Sequence, residues 1–308
     1  MDAPLTSCLF PEPWWLDAVA PGQWQAGEVC RGGRVEARLP YRQWRRMGLA
    51  CVGMPKLTQT LGPCFRSGEG KQVQRLKRQR DLLNELLDQL PPFDWYSQAW
   101  HYSPDNWLPL YWRGFQCTTR YTYVFHDLAN IDAVVSRYSS HTRRQIKKAA
   151  RELAIRTDLP FDDFWRLNEK TFIRQGRRPP YSRTQGERID AACAARNARR
   201  IFFAEDGSGA IHAALYLIWD ARSAYYLMGG SDPELRQSGA LSFLMDAAIR
   251  FSATVSERFD FEGSMIPSIE RFVHNFGATP QPFLQITGQS RKMNVIQAVR
   301  SAFRRRAA

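Results

Sequence analysis

The order in which the hydrophobic period changes along residues 161–287 constrains this chain most. Phe161–Gln175 and Thr184–Asn197 space their apolar residues as helices do. Arg200–Glu205, Ala210–Asp220 and Ser223–Gly230 then follow as three strands, with Asp206-Gly207 as a hairpin signal between the first two. Ser238–Phe251 returns to the helical period, and Arg258–Glu262 is a short strand. Ile269–Asn275 is a helix closed by Gly277 at its C′ position. Phe283–Thr287 is a last strand, and a basic helix is expected at Arg291–Arg306. Helix, helix, three antiparallel strands, helix, strand, helix, strand can bury its apolar faces only as α/β layers.

The first half shows a shorter version of the same alternation. Trp14–Ala20 reads as a helix, Val35–Trp44 and Leu49–Leu57 as strands, and Lys71–Leu90 as a charged helix. That helix carries a roughly helical apolar stripe through Val73, Leu76, Leu82, Leu83, Leu86, Leu87 and Leu90 and is stopped by Pro91-Pro92. Phe93–Trp100 and Arg113–His126 read as strands; in the second, Tyr121, Tyr123 and Phe125 alternate with polar neighbours. Ile131–Leu153 reads as one basic helix joining the halves. The expected division is residues 1–130, a degenerate N-terminal unit; 131–153, the linking helix; and 154–308, a C-terminal unit holding the active cleft.

Lys and Arg number 43 against 30 Asp and Glu, a net charge of +13, and only seven of the 43 are Lys. Arginine forks take carboxylate and phosphate bidentately, which suits an anionic partner. A genome that encodes Arg at most surface cations explains the same bias. With 13% aromatic residues the chain is no disordered polymer. No run approaches the ~20 apolar residues of a membrane span, and Met1–Trp15 lacks a basic n-region. The six cysteines form no C-x-x-C pair. A cytoplasmic protein with reduced thiols, no metal and no integral membrane association is expected.

Three stretches carry a family resemblance. They are Phe259-Asp260-Phe261-Glu262-Gly263-Ser264-Met265 with Ile269-Glu270-Arg271-Phe272, Thr171-Phe172-Ile173-Arg174-Gln175-Gly176, and Arg143-Arg144-Gln145-Ile146-Lys147-Lys148-Ala149-Ala150. Together with the order of elements they resemble the FemABX-like branch of the GNAT acyltransferases, which includes the peptidoglycan-bridge aminoacyltransferases. The resemblance runs from about Asp132 to Ile286 and is thinner before it. It implies two tandem GNAT-like units, each a mixed central sheet flanked by helices. It also implies transfer of an acyl or aminoacyl group to an amine. The bridge-forming enzymes are longer, and no coiled-coil arm fits here.

The resemblance places the donor at Arg236-Gln237-Ser238-Gly239, where a helix N-terminus offers free amides to phosphate. Leu241 stands where the family's motif has a small residue, and close packing of the helix start is an equal reading. Asp260 and Glu262 fall on one face of the Arg258–Glu262 strand, with Phe259 and Phe261 opposite in the core. A carboxylate beside the acceptor amine can act as general base. For Asp260 a structural pairing with an arginine such as Arg271 is favoured; for Glu262 both roles stay open. Arg174, Gln175, Arg178 and Arg271 are the expected acceptor-binding residues. Tyr226 is a candidate general acid, although a buried strand tyrosine is more often packing, and a backbone N–H near Gly229-Gly230-Ser231 is a candidate oxyanion donor.

The basic residues at Arg143–Arg151 and Arg300–Arg306 suit tRNA or phosphate, or are a solvated face. No cofactor is expected to be tightly bound. The co-substrate is aminoacyl-tRNA or acyl-CoA, the former favoured by the charge and by the departure at Leu241. The expected partners are thus tRNA and an amine-bearing small or peptidyl acceptor, with no DNA. The rival reading is a non-catalytic module that binds RNA or an anionic membrane surface on a degenerate GNAT scaffold.

Overall fold

The computed structural model describes residues 5, 8–68, 70–103, 106–263 and 265–296 of the 308. The expected basic tail Arg300–Arg306 lies outside the described residues. Contacts divide the chain into two compact units, residues 1–120 with 282–308 and residues 121–281.

The first unit opens with α1 (Pro13–Val19), then β1 (Trp24–Arg31), β2 (Arg34–Arg46), β3 (Leu49–Gly53) and β4 (Cys64–Phe65). α2 (Gln72–Asp88), β5 (Trp95–Trp100) and α3 (Leu108–Trp112) follow. β1, β2 and β3 form an antiparallel meander, and β3 runs parallel to β5. The apolar stripe of α2 packs Leu82, Leu83, Leu86 and Leu87 on Ala37, Leu39, Val52 and Tyr96. The strand β1 is absent from the sequence expectation because Trp24, Ala26 and Val29 are interrupted by Gly27 and Glu28. Gly27 lies close under the end of α2, where a Cβ would come within 3.4 Å of the Leu86 carbonyl oxygen.

β6 (Gln116–Phe125) crosses into the second unit, which continues with α4 (Ile131–Ser136), α5 (Ser140–Glu152) and β7 (Leu153–Arg156). The single helix expected at 131–153 is thus two helices. Ser139 breaks it by capping α5: its hydroxyl accepts the Thr142 N–H, and its own N–H donates to the Asn275 carbonyl. Next come α6 (Phe161–Arg174), α7 (Arg183–Ala194), β8 (Arg199–Asp206), β9 (Ile211–Trp219) and β10 (Ser223–Ser231). A 3-10 turn at Arg236–Ser238 leads into α8 (Ala240–Ser252), and β11 (Arg258–Asp260) and α9 (Pro267–His274) follow. β12 (Thr279–Gln289) ends the order, with Leu284–Gln289 pairing antiparallel to β5 in the first unit.

Within the second unit the strands run β6-β11-β10-β9-β8-β7. β9 is buried along nearly its whole length because both its faces are covered. On one face α8 packs Leu244, Met245, Ala248 and Ile249 against Phe202, Leu215, Leu217 and Trp219. On the other, Phe161 and Phe164 of α6 lie against Tyr216, and Trp165 packs on Phe161. The Asp206 carboxylate shapes the β8–β9 turn by accepting N–H bonds from Ser208 and Ala210.

Candidate active site

The site forms where a strand pair ends. β10 and β11 pair in parallel over three positions only, the last being Tyr225 with Asp260. β10 then continues to Ser231 while the other chain turns away. Beyond Tyr225 the β11 side of β10 has no strand partner among the described residues. The Ser231 N–H on that edge donates to the Thr171 hydroxyl at 3.1 Å, and Asp232 N–H points the other way, to His212 of β9. Period-two alternation therefore turns the Gly229 N–H to the same open edge. The register also slips between Tyr226 and Met228, which is a β-bulge at Leu227.

Two glycines make this opening possible. A Cβ on Gly230 would lie 2.5 Å from the Leu167 backbone carbon, so α6 sits directly on the strand there. A Cβ on Gly263 would lie 2.3 Å from the Thr122 Cα, so the chain after β11 is pressed flat on β6.

Between them stands Glu262, which departs from the expected strand. The ladder ends at Asp260, and Glu262 has φ +56°, the left-handed region that a side chain with a Cβ rarely adopts. Asp260 holds it there: its Oδ1 accepts the Glu262 N–H at 2.8 Å and the Thr122 hydroxyl at 2.5 Å. Asp260 is 1% exposed. Among the described residues no ion pair joins Arg271 to Asp260, and a hydroxyl and a backbone amide meet its Oδ1. Phe259 and Phe261 are in the core, as expected.

The Glu262 Oε1 is shut off from solvent and has no hydrogen-bond partner among the described residues. Burial first, and then the neighbouring Asp260 carboxylate, push the Glu262 carboxyl well above the ordinary value of 4.5. Burial above all, and after it Tyr181 and then the Glu262 charge, push the Tyr226 hydroxyl upward. The Tyr226 hydroxyl overlies the Gly229 Cα, where a Cβ would meet it.

Two residues of this site were not among those expected from the sequence. Tyr181 also feels the Glu262 charge, and burial raises its hydroxyl to about 12. It shares a hydrogen bond of 3.1 Å with Asn168, which is 1% exposed on α6. The signal was legible in Asn168, the one amide on a buried stripe of Phe164, Trp165 and Leu167. Trp165 and Phe172 meet the Tyr181 ring edge-on. Arg174 is exposed at the end of α6, Gln175 and Arg178 are exposed in the loop that runs from there to Tyr181, and Arg271 is exposed on α9.

The expected donor residues start α8. Arg236 and Gln237 are exposed; Ser238 is buried and donates to the Leu235 carbonyl at 2.8 Å. Gly239, at φ +80°, packs so tightly on α5 that a Cβ would lie 2.7 Å from the Gln145 carbonyl oxygen. Gly239 itself offers no capping side chain, but the Ser238 hydroxyl accepts the N–H of Ala240, the first residue of α8, at 3.4 Å.

This arrangement is the double GNAT-like fold of the FemABX-like proteins, two tandem α/β units with mixed sheets flanked by helices. Residues 136–264 match the family model of the acetyltransferase (GNAT) domain. The structure is similar to that of FemX, with a TM-score of 0.64, 12% identity, and 90% of this chain and 91% of that chain covered. It is also similar to the C-terminal (DUF2156) domain of a protein described as a lysylphosphatidylglycerol synthetase from Agrobacterium fabrum. There the TM-score is 0.57 at 12% identity, covering 91% of this chain and 89% of that one. A third likeness is L-PGS from Bacillus licheniformis, at TM-score 0.53 and 10% identity over 94% of this chain and 98% of that one. No curated protein matches the chain in sequence.

Proposed function

We propose that the chain is an N-acyltransferase that moves an aminoacyl or acyl group to an amine by direct attack, with Glu262 as general base. The observation that carries this reading is the buried, unpartnered Glu262 Oε1 beside the unpaired edge of β10. Folding does not gain from such a group, since an unpaired buried carboxylate is costly. A proton acceptor for an ammonium does gain, because raising the carboxyl brings it nearer the amine it must deprotonate. A pure binding module has no use for it.

In this mechanism Glu262 takes a proton from the acceptor ammonium. The freed nitrogen attacks the donor carbonyl, and the Gly229 N–H meets the oxygen as charge develops on it. The carbon–oxygen bond of an ester or the carbon–sulfur bond of a thioester then breaks. Tyr226, held protonated by burial, gives its proton to the leaving atom and recovers one from the attacking nitrogen. Asp260 touches none of the reacting atoms; it sets the turn that aims Glu262. The exposed Arg174–Arg178 loop, tied to the site through Tyr181, suits an acceptor that bears an anionic group.

Aminoacyl-tRNA is the favoured donor and acyl-CoA the alternative, either binding at Arg236–Gly239. The test is to mix the protein with radiolabelled aminoacyl-tRNA or acyl-CoA and a panel of amines. Consumption of one donor with an amide product supports the reading. If neither ester nor thioester is consumed with any amine, the reading fails.

A further inference from the structure

α5 is the most strongly charged element of the second unit that the reaction does not use. Arg143, Arg144, Lys147, Lys148 and Arg151 are all exposed on it, at spacings of one, three and four residues. None of the five meets a carboxylate among the described residues. Arg143 donates to the Ser136 carbonyl and Lys148 to the Gln237 carbonyl at 2.8 Å. Other arginines of this unit are neutralised: Arg156 by Asp158 and Glu205, Arg183 by Asp162 and Glu187, Arg199 by Asp190. Only Glu152 offsets the charge on α5 itself.

The buried side of α5 shows what the cations stand beside. Gln145 is the residue on which Gly239 packs, and Lys148 reaches the carbonyl of Gln237. The helix is thus clamped to the start of α8, with exposed Arg236 next to it.

Resting on the acyl-transfer reading, we propose that the exposed face of α5 is the docking surface for the phosphate backbone of an RNA donor. From Arg143 to Arg151 the cations span about 12 Å along the helix. That is more than one pyrophosphate covers and suits a run of phosphates. Charge complementarity argues for a polyanion, and the shape argues for RNA over a membrane. A helix that binds lipid buries an apolar face in the headgroups. The one large apolar side chain of α5, Ile146, packs instead with Ala149 in the core of the unit.

Binding of uncharged tRNA tests this without any chemistry, on the full chain, between about 50 and about 200 mM salt. The triple variant Arg144→Ala, Lys147→Ala, Arg151→Ala should weaken binding at least ~10-fold and lower the slope of log Kd against log salt by about 2–3. Arg144→Lys with Arg151→Lys keeps the charge and should keep the slope. Lys77→Ala, an ion-paired lysine of the first unit, should change nothing. Glu262→Gln should bind tRNA as the natural chain does while losing transfer, which separates the surface from the reaction. Unchanged tRNA binding by the folded triple variant overturns the proposal. So does loss of binding to phosphatidylglycerol vesicles while tRNA binding persists.

Discussion

At the scale of single residues, Glu262 and its neighbours carry the account. Its side chain costs the fold a left-handed backbone and a buried carboxylate, and Asp260 supplies the N–H acceptor that fixes both. Replacing Glu262 by Gln keeps the shape and removes the proton acceptor, so kcat should fall by roughly 10²–10⁴ with the donor KM little changed. Steady-state kinetics with the identified donor reads this directly. Tyr181 and Asn168 offer a second check. Tyr181→Phe leaves the buried Asn168 amide without its partner and should cost about 1–3 kcal/mol. Pairing it with Asn168→Leu should recover much of that loss in a denaturant titration, as expected of a coupled pair. The identity of Glu262 as a candidate was readable in the sequence from its place after Asp260. Its conformation was not, because it depends on contact between Gly263 and Thr122, 141 residues apart in the chain by their numbers.

At the scale of elements, the opening depends on α6 lying directly on β10. Gly230→Ala puts a methyl into the Leu167–Asn168 backbone, and backbone cannot yield as a flexible side chain does. This variant should lose stability and activity together, the first seen as a lower Tm and the second as a fall in kcat. The strands β8, β9 and β10 and the helices α6, α7 and α8 were legible because each has one period and a clear stop, such as Asp206-Gly207. The break at Ser139 was hidden because apolar spacing runs on across it, and only the cap and a distant carbonyl at Asn275 divide α4 from α5. Very short edge elements, such as the four-residue β7, also escaped, since their pairing partner decides them. The donor segment was legible as a helix start. That Gly239 is needed for α5 as well was not, because Gln145 is remote in sequence.

At the scale of the whole molecule, Glu262 should leave a mark on global stability. Below the ordinary value of 4.5 the carboxyl is protonated in both folded and unfolded chains. As pH rises past that value, the unfolded chain gives up the proton and the folded chain keeps it. Stability then falls by about 1.4 kcal/mol per pH unit until the raised folded value is passed. Glu262→Gln should abolish this decline, so the variant should be the more stable form in alkaline buffer and not in acid. Denaturant titrations of both proteins across pH measure it. The excess of +13 charges also divides: the α5 cations are exposed and unneutralised, whereas many arginines elsewhere are bound in ion pairs. Composition showed the excess but not which charges were free.

The central claim is that Glu262 deprotonates the acceptor amine. The most direct measurement is kcat/KM for amide formation from about pH 5 to about pH 9, for the natural chain and Glu262→Gln side by side. The account predicts a rate that climbs through a value well above the ordinary carboxylate range in the natural chain. In the variant it predicts a low rate that lacks this limb. A variant that keeps both the rate and the limb would contradict it.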